Sequence, residues 1–114
     1  MNIFITGVSA GLGKSLMDEY LNAGHTVFGM SRTPVDRCAH VSCDLGQLEE
    51  IPGNLEKLLE DCPELDVVIL NAGMLGDIKL FKDWTSIDLA KIMNINVWSN
   101  KVIIDWLLNH KESP

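Results

Sequence analysis

Positive charge is scarce in this sequence. Nine Lys and Arg stand against sixteen Asp and Glu in 114 residues, a formal net charge of −7. A chain so balanced lacks the basic face that a nucleic-acid backbone requires. Long apolar runs are also missing: none reaches the roughly 18 residues of a membrane span, and Met1-Asn2 leads straight into a strand-like segment rather than a signal peptide. Cysteine is limited to three residues, an odd number without framework spacing, which points to a reduced, cytoplasmic setting. Cys38-x-His40-x-x-Cys43 carries ligand chemistry, but the segment alternates like a short strand and no further ligand pair accompanies it. Small buried thiols are therefore expected there, and no metal site. Internal repeats, low-complexity segments and linkers are absent, so residues 1–114 read as one domain.

What is present is a regular alternation of strand and helix signals. Residues 2–6 are β-branched and aromatic enough for a buried strand. From Leu12, the positions Leu12, Leu16, Tyr20 and Leu21 recur at helical spacing with Met17 on their flank, and Asn22-Ala23-Gly24 supplies the stop. His25 to Met30 reads as a second strand and Ala39 to Ser42 as a short third. Asn54 is a plausible N-cap for a helix carrying Leu55, Leu58 and Leu59, with Pro63 beyond its end. Val67-Val68-Ile69-Leu70 is an uninterrupted apolar strand of the kind buried on both faces. A looser segment runs to Trp84, then a long helix from about Ser86 to about Asn109. The order β-α-β-β-α-β-α predicts a Rossmann-like, doubly wound parallel α/β sheet. Right-handed crossovers give strand order 3-2-1-4, with the switch point between strands one and four.

The first strand feeds Thr6-Gly7-Val8-Ser9-Ala10-Gly11-Leu12-Gly13-Lys14-Ser15. A glycine-rich turn opening a helix is a phosphate site, because unpaired N–H groups and the positive end of the helix dipole face the ligand together. Gly11-Leu12-Gly13-Lys14-Ser15 looks like the end of a nucleoside-triphosphate loop. That loop needs glycine five residues before Gly13, where Val8 stands, and the apolar strand at 67–70 ends in Asn71 rather than a magnesium-binding carboxylate. Lys14 is then a solvated side chain.

The spacing Thr6-Gly7-x-x-x-Gly11-x-Gly13 instead resembles the cofactor loop of the short-chain dehydrogenase/reductase family. Asp44 after strand three is similar to that family's adenine-contacting aspartate, and Asn71-Ala72-Gly73 matches its N-A-G motif. Met93-Asn94-Ile95-Asn96-Val97-Trp98-Ser99 resembles the segment holding its active-site asparagine. Asn96 aligns best there, ahead of Asn94 and Asn100, because Ser99 follows three positions later. The resemblance implies dinucleotide contacts from Gly7, Ser9, Gly11, Leu12 and Gly13, from Ser31, from Arg32, from Asp44 and Leu45, and from Asn71, Ala72 and Gly73. It makes Asn96 the catalytic-site residue. Asp44 has an ordinary reading as a turn residue, and Asn71 as a bridge between backbone segments across the switch point.

An NAD-preferring site usually has a carboxylate near the end of strand two; here Ser31 occupies that place and Arg32 follows. Arg offers a planar, charge-assisted fork to a 2′-phosphate, with Ser31 as an additional donor, so NADP(H) is expected over NAD(H), which is still possible. The resemblance spans the N-terminal half of a typical member. The family's acid/base pair, Tyr-x-x-x-Lys, is missing: the single tyrosine, Tyr20, has Gly24 four residues on. The chain is thus expected to be the cofactor-binding portion of an enzyme that moves hydride between nicotinamide and a carbonyl or alcohol substrate, inactive alone. The alternative is a non-catalytic dinucleotide-binding or interaction module. Because apolar residues ring the long helix and strand four would form an open edge, a homo-oligomer is expected in either case.

Overall fold

The computed structural model describes residues 1–62, 64–74 and 80–111. Pro63 and part of the looser segment before Trp84 lie outside the described residues. Four parallel strands, β1 (Asn2–Thr6), β2 (Thr26–Ser31), β3 (Ala39–Ser42) and β4 (Val67–Leu70), form one sheet in the order β3-β2-β1-β4. Helix α1 (Gly11–Asn22) joins β1 to β2, and α2 (Ile51–Leu59) lies between β3 and β4. After β4, α3 (Ser86–Met93), a π-helical turn (Asn94–Trp98) and α4 (Ser99–His110) form a helical run. The expected architecture and strand order are both present.

The sheet is covered on both faces, and strand periodicity decides which residue goes where. On β1, Ile3 and Ile5 join Val8, Met17 and Val27 on the α1 face. Phe4, one residue out of phase, joins Met30, Leu55, Leu59 and Ile103 on the face covered by α2 and α4. Successive strand side chains point to opposite faces, so an apolar run with helices on both sides fills two cores at once. Each such fully buried side chain contributes about 1.5–3 kcal/mol relative to exposure.

Four details depart from the sequence reading. Strand β2 starts at Thr26 rather than His25 and extends through Ser31. Leu12 is 66% exposed, while Gly13 and Met17 form the buried face of α1. The i,i+4 pair led by glycine wins because only glycine lets the helix come down onto the loop. Asn54 is not an N-cap: α2 opens at Ile51 with Pro52 in its first turn, where proline's missing N–H costs nothing. Asn54 sits inside the helix and donates from Nδ2 to the Glu50 carbonyl at 3.0 Å. All four residues of β4 are half-buried rather than buried, because among the described residues β4 is an edge strand paired only with β1.

The long helical run is apolar on more than one face, and the single chain buries only one of them. Thr85 caps α3 reciprocally with Asp88, as Ser/Thr with an acid three residues on is suited to do. Ile95 and Ile103 are buried, yet Ile87 is 79% and Trp98 50% exposed. One face covers the sheet; the other faces outward in the single chain. Among the described residues, no helix is long and apolar enough to cross a membrane.

Candidate functional site

The carboxyl ends of β1 and β4 diverge at the switch point, and the chain turns there on glycines with separate physical causes. Gly7 (φ +77°) and Gly11 (φ +58°) occupy the left-handed region that side chains with a Cβ avoid. Gly13 is needed for contact: a Cβ there would lie 1.9 Å from the Gly7 carbonyl oxygen and 2.6 Å from Asn71 Nδ2. Beyond the turn, α1 begins at an Ala10 N-cap that offers no side-chain acceptor, and its first turn holds no acidic residue. The first N–H groups and the positive helix end are therefore left for an external anion, with exposed Lys14 beside them.

The turn is tied to the end of β4. The Ala72 N–H donates to Thr6 Oγ1 at 3.0 Å, and Asn71 Nδ2 reaches the Gly7 carbonyl at 3.4 Å. The latter is the backbone bridge open to Asn71 in its ordinary reading. Asn96 projects from the π-helical turn to the same region: the Met74 N–H donates to Asn96 Oδ1 at 2.7 Å, and Asn96 Nδ2 donates to the Met74 carbonyl at 2.8 Å. Both ends of the amide are committed to one peptide segment. Asn100 Nδ2 donates to the Asn96 carbonyl at 3.2 Å, and Ser99 Oγ to the Ile95 carbonyl at 2.6 Å, which ties the turn to α4.

These elements surround a cleft of about 330 Å³. Of the residues singled out in the sequence, Gly7, Ser9, Ser31, Arg32, Asp44, Leu45, Asn71, Ala72 and Gly73 line it. Gly11, Leu12, Gly13 and Asn96 do not: the first three form the start of α1, and Asn96 braces Met74. Asp44 Oδ1 accepts the Gly46 N–H at 2.9 Å, so the aspartate also organises its own turn. Ser31 Oγ donates to the Thr33 carbonyl at 2.8 Å. Its one proton being spent, it accepts from His40 Nε2–H at 2.7 Å, which assigns the His40 tautomer. Ser31 therefore lines the cleft without a free hydroxyl donor, whereas Arg32 is exposed and has no ion-pair partner among the described residues.

Burial lowers the His40 pKa, and burial raises that of the Cys43 thiol, the latter helped by Glu50 and Asp44 and opposed by a hydrogen bond from Asn54. Cys38 packs with the α1-side core and Cys43 with the opposite one, so they cannot share a metal ion. Among the described residues no group of three His, Cys, Asp or Glu is placed to hold one. Tyr20 lies on α1 against His25, ring centroids 6.0 Å apart, and does not line the cleft.

Sequence reasoning gave no role of their own to Thr6 and Ile95, which it met only inside longer motifs, and none to Thr33 and Met74. Thr6 had a usable signal, a hydroxyl at the end of a buried strand that must find a partner. Thr33 and Met74 take part through backbone carbonyls and amides, which no residue type announces.

A family model described as short chain dehydrogenase matches residues 1–111. The chain is 32% identical over 124 aligned residues to 11-beta-hydroxysteroid dehydrogenase-like 3 of Arabidopsis thaliana, covering 95% of this chain and 40% of that protein. A shorter match, 33% identical over 75 residues, covers 63% of the chain and 28% of 3-ketodihydrosphingosine reductase of Bacteroides thetaiotaomicron. Among solved structures, a short chain dehydrogenase family protein from Francisella tularensis superposes with a TM-score of 0.80 at 28% identity, over 97% of this chain and 46% of that one. The chain thus spans less than half the length of these curated relatives and of that structure.

Proposed function

This chain belongs to the short-chain dehydrogenase family, and from that premise we propose that it is the NADP(H)-binding portion of an oxidoreductase acting on a carbonyl or alcohol. The nicotinamide, when bound, supplies or accepts the hydride. The chain's own residues bind and orient. The uncapped N–H groups at the start of α1 would take the pyrophosphate, with Gly7 and Ser9 shaping the turn beneath it. Asp44 and Leu45 would take the adenine, and Arg32 the 2′-phosphate. Asn96 would act as a positioning residue that fixes Met74, and with it Asn71, Ala72 and Gly73, where the reacting end of the cofactor lies. A cytoplasmic setting goes with this reading, given three unpaired thiols.

The observation that carries the reading is the junction of an acid-free, uncapped helix start with a cleft that ends at an exposed arginine. Titration of NADPH and NADH against wild type and Arg32→Ala tests it. Wild type is expected to prefer NADPH by about tenfold, from one charge-assisted bidentate contact, and the variant to lose that preference. An unchanged preference refutes the role of Arg32. Lacking a Tyr-x-x-x-Lys pair, the 114-residue chain by itself is expected to give no ketone-dependent oxidation of NADPH, and measurable turnover overturns that expectation.

A second reading, a dinucleotide-binding module that works by association, draws on the outward apolar side chains of the helical run, Ile87, Met93, Val97, Trp98, Ile104 and Leu108. Light scattering on the purified chain tests the association itself: a homodimer or larger is expected, and a monomer at micromolar concentration refutes it.

A further inference from the structure

Arg32 lines a second cleft as well as the first. This space, about 670 Å³, lies between the end of β3 and α2, and its polar lining is Arg32, Ser42, Asp44, Glu50, Asn54 and Lys57. The two clefts share Arg32, Cys43 and Asp44, so they meet beside the guanidinium. A 2′-phosphate brings about 1.5 to 2 negative charges at neutral pH, more than one arginine balances. Asp44 and Glu50 add negative charge to the same space, and the field of both reaches Cys43, whose thiol they help push up. Arg32 alone would leave the region net anionic. Lys57, exposed on α2 and without an ion-pair partner among the described residues, is the other cation on its lining.

We propose that Lys57 is a specificity-determining residue for the phosphorylated cofactor, forming with Arg32 a two-cation wall across the junction of the clefts. The inference rests on the NADP(H) reading given above. Arg32 provides the planar fork, and Lys57 a compact charge on a flexible stem that follows the phosphate as it is neutralised. Asp44 stays available to the adenine edge, so the junction combines acceptors and cations in the pattern that an adenosine 2′-phosphate presents in reverse. Glu50 works against the phosphate, and Lys57 offsets it.

Isothermal titration of the chain with adenosine 2′,5′-bisphosphate and with adenosine 5′-monophosphate isolates the 2′-phosphate. Lys57→Gln is expected to weaken the bisphosphate by about fivefold, a partly solvated contact, and to leave the monophosphate within about twofold. Lys57→Arg is expected to retain the discrimination, and Glu50→Gln to strengthen bisphosphate binding alone. Equal losses for both ligands, or none, with Lys57→Gln overturn the proposal and leave Lys57 a helix-terminal charge on α2. If Arg32→Ala abolishes discrimination while Lys57→Gln does not, only the role of Lys57 falls. If wild type binds neither ligand, or both equally, the NADP(H) reading itself falls and this inference with it.

Discussion

Replacing Gly13 with alanine tests the packing that the turn between β1 and α1 depends on. The added Cβ would stand 1.9 Å from the Gly7 carbonyl oxygen, where ordinary contact begins at 3.4 Å, so α1 must retreat by about 1.5 Å. No rotamer change relieves this, because the obstacle is backbone. Gly7 is itself pinned through its N–H to the Met30 carbonyl at 2.8 Å. Retreat also pulls buried Met17 from Ile3, Ile5 and Val27. Overpacking of this kind costs about 1–3 kcal/mol, and the clash sits at the upper end of that range. Alanine returns up to about 1 kcal/mol of helix propensity, leaving a net loss near 2 kcal/mol. For a domain of this size that lowers Tm by about 10 °C.

Gly53→Ala is the matched control. It lies in the first turn of α2, and a Cβ there meets nothing within 4 Å. The same substitution should stabilise by about 0.5 kcal/mol through propensity and unfolded-state entropy alone. Thermal and urea unfolding followed by circular dichroism read both variants, with the urea slope checked for constancy. Opposite signs are expected. If Gly13→Ala melts at or above wild type, the close helix–turn contact is not what requires glycine, and the reasoning fails.

Two further outcomes follow from single side chains. Lys111 donates from Nζ to the carbonyls of Leu59 and Cys62 at 2.6 and 2.7 Å, closing the C-terminal end of α2 from the end of α4. Lys111→Met should therefore cost about 1–2 kcal/mol in urea unfolding, whereas Lys101→Met, which breaks an exposed pair with Asp105, should cost less than about 0.5; equal costs refute the capping role. Burial holds the His40 pKa below its ordinary 6.5, so the unfolded chain takes up this proton at a higher pH than the folded chain does. The stability gained from keeping His40 neutral is complete above 6.5, falls with pH below it, and levels off beneath the folded-state pKa. The difference in Tm between wild type and His40→Gln should then shrink as pH is lowered through that window, and a difference independent of pH refutes the assignment.

The turn between β1 and α1 shows how far residue pattern reaches. Thr6-Gly7-x-x-x-Gly11-x-Gly13 between an apolar strand and a helical repeat specified a turn, a helix start and its place at the switch point. Positive φ at Gly7 and Gly11 and the close approach at Gly13 are what that pattern requires. Ser31 was legible as a residue of the site and not as a spent donor, because its hydroxyl bonds depend on a histidine nine residues on and a carbonyl two residues on. Asn54 had the residue type of a cap, but Ile51 needed burial and Pro52 fitted a first turn, so α2 began earlier.

The sequence by itself determined the alternation of strands and helices, the strand order and the glycine turn at the switch point, since each follows from periodicity, turn chemistry and the handedness of crossovers. Tertiary structure decided the rest. It set Met17 rather than Leu12 against the sheet, left β4 half-buried at an edge, turned Asn96 onto the Met74 backbone through a π-helical turn, and brought Lys57 to the cleft that Arg32 lines. These outcomes depend on which surfaces approach and how closely, and a distance between residues twenty or more positions apart is set by the packing of everything between them.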